Sequence, residues 1–78
     1  MNLEELKTKL SQEDLIKDKY YIGRASDNKY CIVCENNEWS TFYYERGRKT
    51  RLKSYTTESD ACIAFYECMM KVKERLLR

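Results

Sequence analysis

Four cysteines carry most of this chain's capacity for metal or redox chemistry: Cys31, Cys34, Cys62 and Cys68. Cys31 and Cys34 have the spacing of half a zinc knuckle. Two thiolates at that spacing converge on one metal only across a tight turn. Here the intervening residues are Ile32 and Val33, inside a strand pattern, where positions i and i+3 point to opposite faces. Cys62 and Cys68 fare no better, because six residues of helix set them about 120° apart. The chain has no histidine to complete a mixed site. No metal and no cofactor is expected. Disulfides are not expected either, since no export signal is visible: the first ten residues alternate charge with leucine. The cysteines then read as small hydrophobes, with Cys34, Cys62 and Cys68 buried and Cys31 exposed.

Catalysis finds little to work with. The absent histidine removes the commonest general base. The acid pairs Glu4-Glu5, Glu13-Asp14 and Glu35/Glu38 fall on an exposed helix, a loop and a hairpin tip, where carboxylates are ordinarily solvated. The serines have no base partner in the sequence, and neither Gly23 nor Gly47 sits in a phosphate-cradling loop. No catalytic residue is assigned, and an enzyme is not expected.

The elements that position these residues are readable. At 78 residues the chain is one small domain, 1–78. Asn2 with Glu5 has capping-box spacing, and Leu3, Leu6 and Leu10 recur at helical intervals, predicting a short amphipathic helix over about 3–10. Ser11 to Asp18, polar apart from Leu15 and Ile16, predicts a turn, with a further helical turn started by Ser11 as the alternative. Lys19 to Arg24 predicts a first strand, and 25–28 a turn. Lys29–Glu35 and Glu38–Glu45 predict two strands joined by Asn36-Asn37, a pair suited to a type I′ turn. Arg46-Gly47 turns the chain again into Arg48–Tyr55. Thr57 with Asp60 caps a last helix, along which Ala61, Ala64, Phe65, Cys68, Val72 and Leu76 form one apolar stripe. The expected fold is α+β: a short N-terminal helix, a four-stranded antiparallel meander, and a long C-terminal helix packed on one sheet face. No apolar run approaches membrane-spanning length, and a cytoplasmic location is expected.

Two-residue turns would set the register, because side chains alternate. One face would carry Tyr30, Ile32, Cys34, Trp39, Thr41, Tyr43, Thr50 and Leu52, and is the better core face. The other would carry Cys31, Val33, Glu35, Glu38, Ser40, Phe42, Tyr44, Lys49, Arg51 and Lys53. On that second face Phe42, Tyr44, Lys49, Arg51 and Lys53 make an aromatic, basic surface with Glu35 and Glu38 at one end. Antiparallel sheets often leave such a face to solvent. As a recognition surface it is suited to a protein partner, or to stacked bases and phosphates.

Charge alone does not decide between these. The net charge is only +2, from 15 basic and 13 acidic residues. The bases cluster at Arg46, Arg48, Lys49, Arg51 and Lys53, and at Lys71, Lys73, Arg75 and Arg78. The α-β-β-β-α order is that of double-stranded-RNA-binding domains, which carry a lysine cluster at the start of the last helix. Here that position reads Thr57-Glu58-Ser59-Asp60, which is acidic.

Lys29 to Ile32, Trp39 through Glu45-Arg46-Gly47, and Tyr55 through Cys62 resemble segments of the small immunity proteins of bacterial polymorphic-toxin systems, including partners of contact-dependent growth-inhibition toxins. The shared features are a core tryptophan, a hairpin turn and an acid-capped helix beginning Ala61-Cys62, over about residues 29–65. The resemblance implies a cytoplasmic protein that binds one cognate toxin domain, often a nuclease, and neutralises it as a monomer in a 1:1 complex. Glu35 and Glu38 would enter a basic cleft, and the basic strand would meet an acidic toxin surface. Immunity proteins to nucleases are often acidic, and this chain is slightly basic. The alternative is a small nucleic-acid-binding domain using the same basic face, and a third class is a regulatory or structural adaptor.

Overall fold

A computed structural model describes residues 1–77. The elements are α1 (Leu3–Ser11), a 3-10 turn (Asp14–Ile16), β1 (Tyr20–Ile22), β2 (Lys29–Glu35), β3 (Glu38–Glu45), β4 (Arg48–Tyr55) and α2 (Glu58–Leu76). The four strands form one sheet in the order β1-β2-β3-β4. The Cα framework is only 15 Å through its thinnest axis, the depth of one sheet and one helix layer.

Both helix starts are side-chain capped, which satisfies amide groups that the helix leaves without partners. Asn2 accepts from the Glu5 amide at 2.8 Å, and Thr57 from the Asp60 amide at 3.1 Å. The two N-termini are also joined to each other. A Glu58 carboxylate oxygen accepts from the Leu3 amide at 2.8 Å, and the Met1 ammonium donates to Ser59 Oγ at 3.0 Å. Further along, Lys73 of α2 pairs with Glu13. α1 and the 3-10 turn therefore lie alongside α2.

That placement rotates the buried stripe of α2. Ala61, Cys62, Phe65, Met69 and Val72 are buried, whereas Ala64 and Cys68 are half-buried and Leu76 is exposed. The sequence stripe aims α2 at the sheet alone. Leu6, Leu10 and Ile16 join the same core, so α2 turns Cys62 and Met69 inward and frees the Ala64–Cys68 edge.

Both hairpin turns have the expected form. Asn36 and Asn37 have φ of +52° and +63°, and Arg46 and Gly47 have +52° and +75°, the signature of type I′ turns. β2 and β3 pair antiparallel, Cys34 opposite Trp39 and Ile32 opposite Thr41.

The antiparallel meander is corrected at β1, which runs parallel to β2 with Tyr20 beside Tyr30 and Ile22 beside Ile32. Parallel neighbours ordinarily need a long crossover. β1 advances only about 10 Å, so the connection 23–28 can return the chain. That connection, expected as a hairpin turn, instead folds over the far face of the sheet. Gly23 (φ +112°) and Asn28 (φ +61°) give it its two bends. Ala25 packs on a second small apolar cluster of Cys31, Val33 and Phe42, with Tyr44 against its side.

The cysteine assignment is corrected with it. Cys31 is buried under this connection, its sulfur accepting from the Ser26 amide at 3.4 Å, and Cys34 is exposed near the hairpin end. All four cysteines are free. Burial pushes the Cys31 and Cys62 thiols above their ordinary value of 9.0, which keeps them protonated and unreactive at neutral pH. In the native protein at pH 8, Cys34 should react with a thiol reagent first, half-buried Cys68 more slowly, and Cys31 and Cys62 only after denaturant is added. Fast reaction of Cys31 in the native state would place connection 23–28 off the sheet.

Candidate binding groove

β4 does not keep the register that two tight turns would set. Glu45 pairs with Arg48, Tyr44 with Lys49 and Tyr43 with Thr50. The next pair is Thr41 with Lys53, so the ladder shifts between them. Arg51 and Leu52 together oppose Phe42, the arrangement of a β-bulge. Arg51 has φ +56°, a left-handed conformation that is unusual for a residue with a side chain.

The bulge reverses the faces of the rest of β4. Lys53 and Tyr55 now share the α2 side with Thr41 and Trp39, and Leu52 is left 55% exposed. The expected single surface of Phe42, Tyr44, Lys49, Arg51 and Lys53 is corrected accordingly. Phe42, Tyr44 and Lys49 stay on the far face. Phe42 is only 3% exposed, and the Lys49 ammonium lies 4.9 Å above its ring. Tyr44 meets Phe42 edge-on with ring centroids 6.2 Å apart. Arg51 and Lys53 belong to the α2 side. Glu35 and Glu38 face each other directly across the end of the β2–β3 hairpin, both exposed. The sheet thus brings the two acids together, and separately Phe42, Tyr44 and Lys49.

On the α2 side the bulge completes a groove of about 690 Å³ between the β3–β4 ribbon and the freed edge of α2. Its floor is aromatic, with Tyr30, Tyr43, Tyr55 and Phe65, and the rings of Tyr30 and Tyr43 pack 4.7 Å apart. Its rim is cationic, with Arg51 and Lys53 from β4 and Lys71 and Arg75 from α2; Glu67 is the one acid. Arg78, the last of the C-terminal bases, lies outside the described residues. Cys68 sits among these cations. Burial pushes its thiol above the ordinary value of 9.0, and Arg51, Arg75, Lys71 and Lys53 offset this only in part. A thiol held protonated is a poor nucleophile, and neither histidine nor a second thiol lies in the groove. The arrangement can bind anions and apolar groups together.

Reading the sequence missed the α2 half of this groove. A signal was present, because Ala64, Cys68, Lys71 and Arg75 recur at three- and four-residue steps. Bases in the last turn of a helix are also favoured by its dipole, and only the bulge brings β4 cations opposite them. Among the described residues no group of acids and cysteines is placed to hold a metal ion, and no helix is long and apolar enough to cross a membrane. Comparison with protein-family models, with curated proteins and with solved structures found no match to this chain.

Proposed function

We propose that this protein acts by stoichiometric binding, as an immunity protein that holds and neutralises a cognate bacterial toxin domain, a nuclease by preference, in the cytoplasm. The observation that carries the reading is the pairing of two exposed, oppositely charged features on one small domain. Glu35 and Glu38 are set directly opposite each other at a hairpin tip, where like charges disfavour the pair. Four cations crowd one aromatic-floored groove. Each arrangement costs the free protein some stability, and a partner of complementary charge relieves it. Such complementarity also speeds encounter, which suits an inhibitor that must act before its toxin does. The resemblance to immunity proteins supports the same reading. Trp39 packs against the main core, Arg46-Gly47 forms the hairpin turn, and Thr57 caps α2.

A second reading is a small nucleic-acid-binding domain. The cations beside the packed Tyr30 and Tyr43 rings favour it, since cations and aromatic rings together hold single strands. The discriminating experiment is affinity capture with the tagged protein from cells of its source, with nuclease treatment and with low- and high-salt washes. The expected result is one polypeptide, retained after nuclease and at high salt. Nucleic acid as the sole captured species, lost at high salt as released counterions require, would overturn the immunity reading.

A further inference from the structure

We infer that the groove between α2 and the bulged β3–β4 ribbon seats an acidic, extended stretch of the partner polypeptide, its carboxylates met by Arg51, Lys53, Lys71 and Arg75. Apolar side chains of the same stretch lie on the tyrosine floor. The inference rests on the stoichiometric-binding reading above and specifies the surface and the partner chemistry that it uses.

The first support is the bulge. In an unshifted ladder Arg51 would fall opposite Phe42 and Lys53 opposite Ser40, on the far face, and Leu52 would point toward α2. The observed register does the reverse. It turns two cations toward two others, exposes a leucine, and holds an arginine at φ +56°. These three features do not help the isolated domain, although the same shift also brings Tyr55 opposite Trp39 and onto the main core. Bulges commonly re-aim side chains at functional sites, and backbone strain persists where it serves such a purpose.

The second support is charge. The ion pairs among the described residues are Lys7 with Glu4 and Lys73 with Glu13. None engages Arg51, Lys53, Lys71 or Arg75, so the rim is unneutralised except for the proximity of Glu67. An anionic occupant gains from all four cations at once.

The third support distinguishes polypeptide from nucleic acid. Tyr55 is shared between the groove and a neighbouring hollow lined by Glu38 and Ser54. A phosphate backbone leaving the groove on that side meets Glu38 and the facing Glu35, besides Glu67 in the rim. A peptide whose sequence can change sign along its length does not suffer this repulsion. The groove is lined in part by β4, one of the two edge strands of the sheet, and an edge strand can pair with an extended chain.

The test maps amide shifts of the isotope-labelled protein with three probes: a capped peptide alternating glutamate and tyrosine, its lysine–tyrosine counterpart, and single-stranded oligothymidylate. The glutamate peptide should shift amides of Arg51–Lys53 and Cys68–Arg75 and leave Tyr44 and Lys49 unmoved. Arg51→Glu with Lys71→Glu, both at exposed positions, should weaken it by about tenfold or more. Arg51→Gly separates charge from backbone: it should weaken the peptide too, yet raise Tm by about 4–8 °C as left-handed strain is relieved. Shifts on the far face, binding of oligothymidylate at the groove in place of the peptide, or an Arg51→Gly protein with lower Tm and unchanged affinity would each overturn the inference. Affinity capture with the R51E/K71E protein separates the two levels. A partner polypeptide held equally by wild type and double variant overturns the groove and leaves the binding reading standing. A captured set without any polypeptide overturns the binding reading, and the inference with it.

Discussion

Replacing Phe65 with alanine unfolds the domain. Phe65 is 2% exposed and is the largest fully buried side chain, placed where α2 meets the sheet in the core shared with Leu6, Leu10, Ile16 and Ile32. A buried Phe→Ala truncation costs about 3–5 kcal/mol through lost transfer energy and the cavity left behind. A single core in a chain this short supplies roughly the same net stability. None of the cysteines is bridged, so nothing covalent restores the balance. Far-UV circular dichroism and urea titration should show the variant mostly unfolded at 25 °C without denaturant. A cooperative transition near the wild-type midpoint would contradict the packing of α2 described here.

Glu58→Ala should be the most damaging change to a charged residue. This carboxylate lies in the first turn of α2, where the helix dipole favours a negative charge. It also accepts the Leu3 amide at 2.8 Å, one of the groups that α1 cannot satisfy internally. A hydrogen bond to a charged group contributes about 1.5–3 kcal/mol, and here it ties two elements that are 55 residues apart. The loss should appear as a lower urea midpoint, with the earliest hydrogen-exchange protection lost in α1. Asp60→Ala provides the comparison, because Asp60 shares the first turn of α2 and, among the described residues, is bonded there through its backbone amide to Thr57 rather than across to α1; its effect should be a fraction of that of Glu58. Equal effects would reduce the Glu58 contribution to the dipole alone.

What was legible in the sequence follows from how local each signal is. Asn2, Thr57, Asn36-Asn37 and Arg46-Gly47 act within four residues, and all four features form as read. The parallel β1 was not legible, because it depends on connection 23–28 packing Ala25 on Cys31, Val33 and Phe42, a contact across the sheet. The bulge was hidden for a different reason. Glycine is the usual marker of a left-handed bulge residue, and position 51 is arginine, so alternation was carried unbroken through β4. That one residue moved Lys53 and Arg51 to the other face and divided the expected site. The rotated stripe of α2 was missed because Ile16 and Leu10 lie far away in sequence, and nothing in α2 alone announces that α1 will cover Cys62 and Met69. Local chemistry was readable, and the long-range placements that build the groove were not.

The most direct measurement of the central claim is growth of cells expressing the captured partner polypeptide, with and without this protein. The account predicts that the partner alone arrests growth, that co-expression of this protein restores it, and that the purified pair contains one copy of each chain. Arrest that persists when this protein is co-expressed at equal abundance, or a partner that never affects growth, would contradict it.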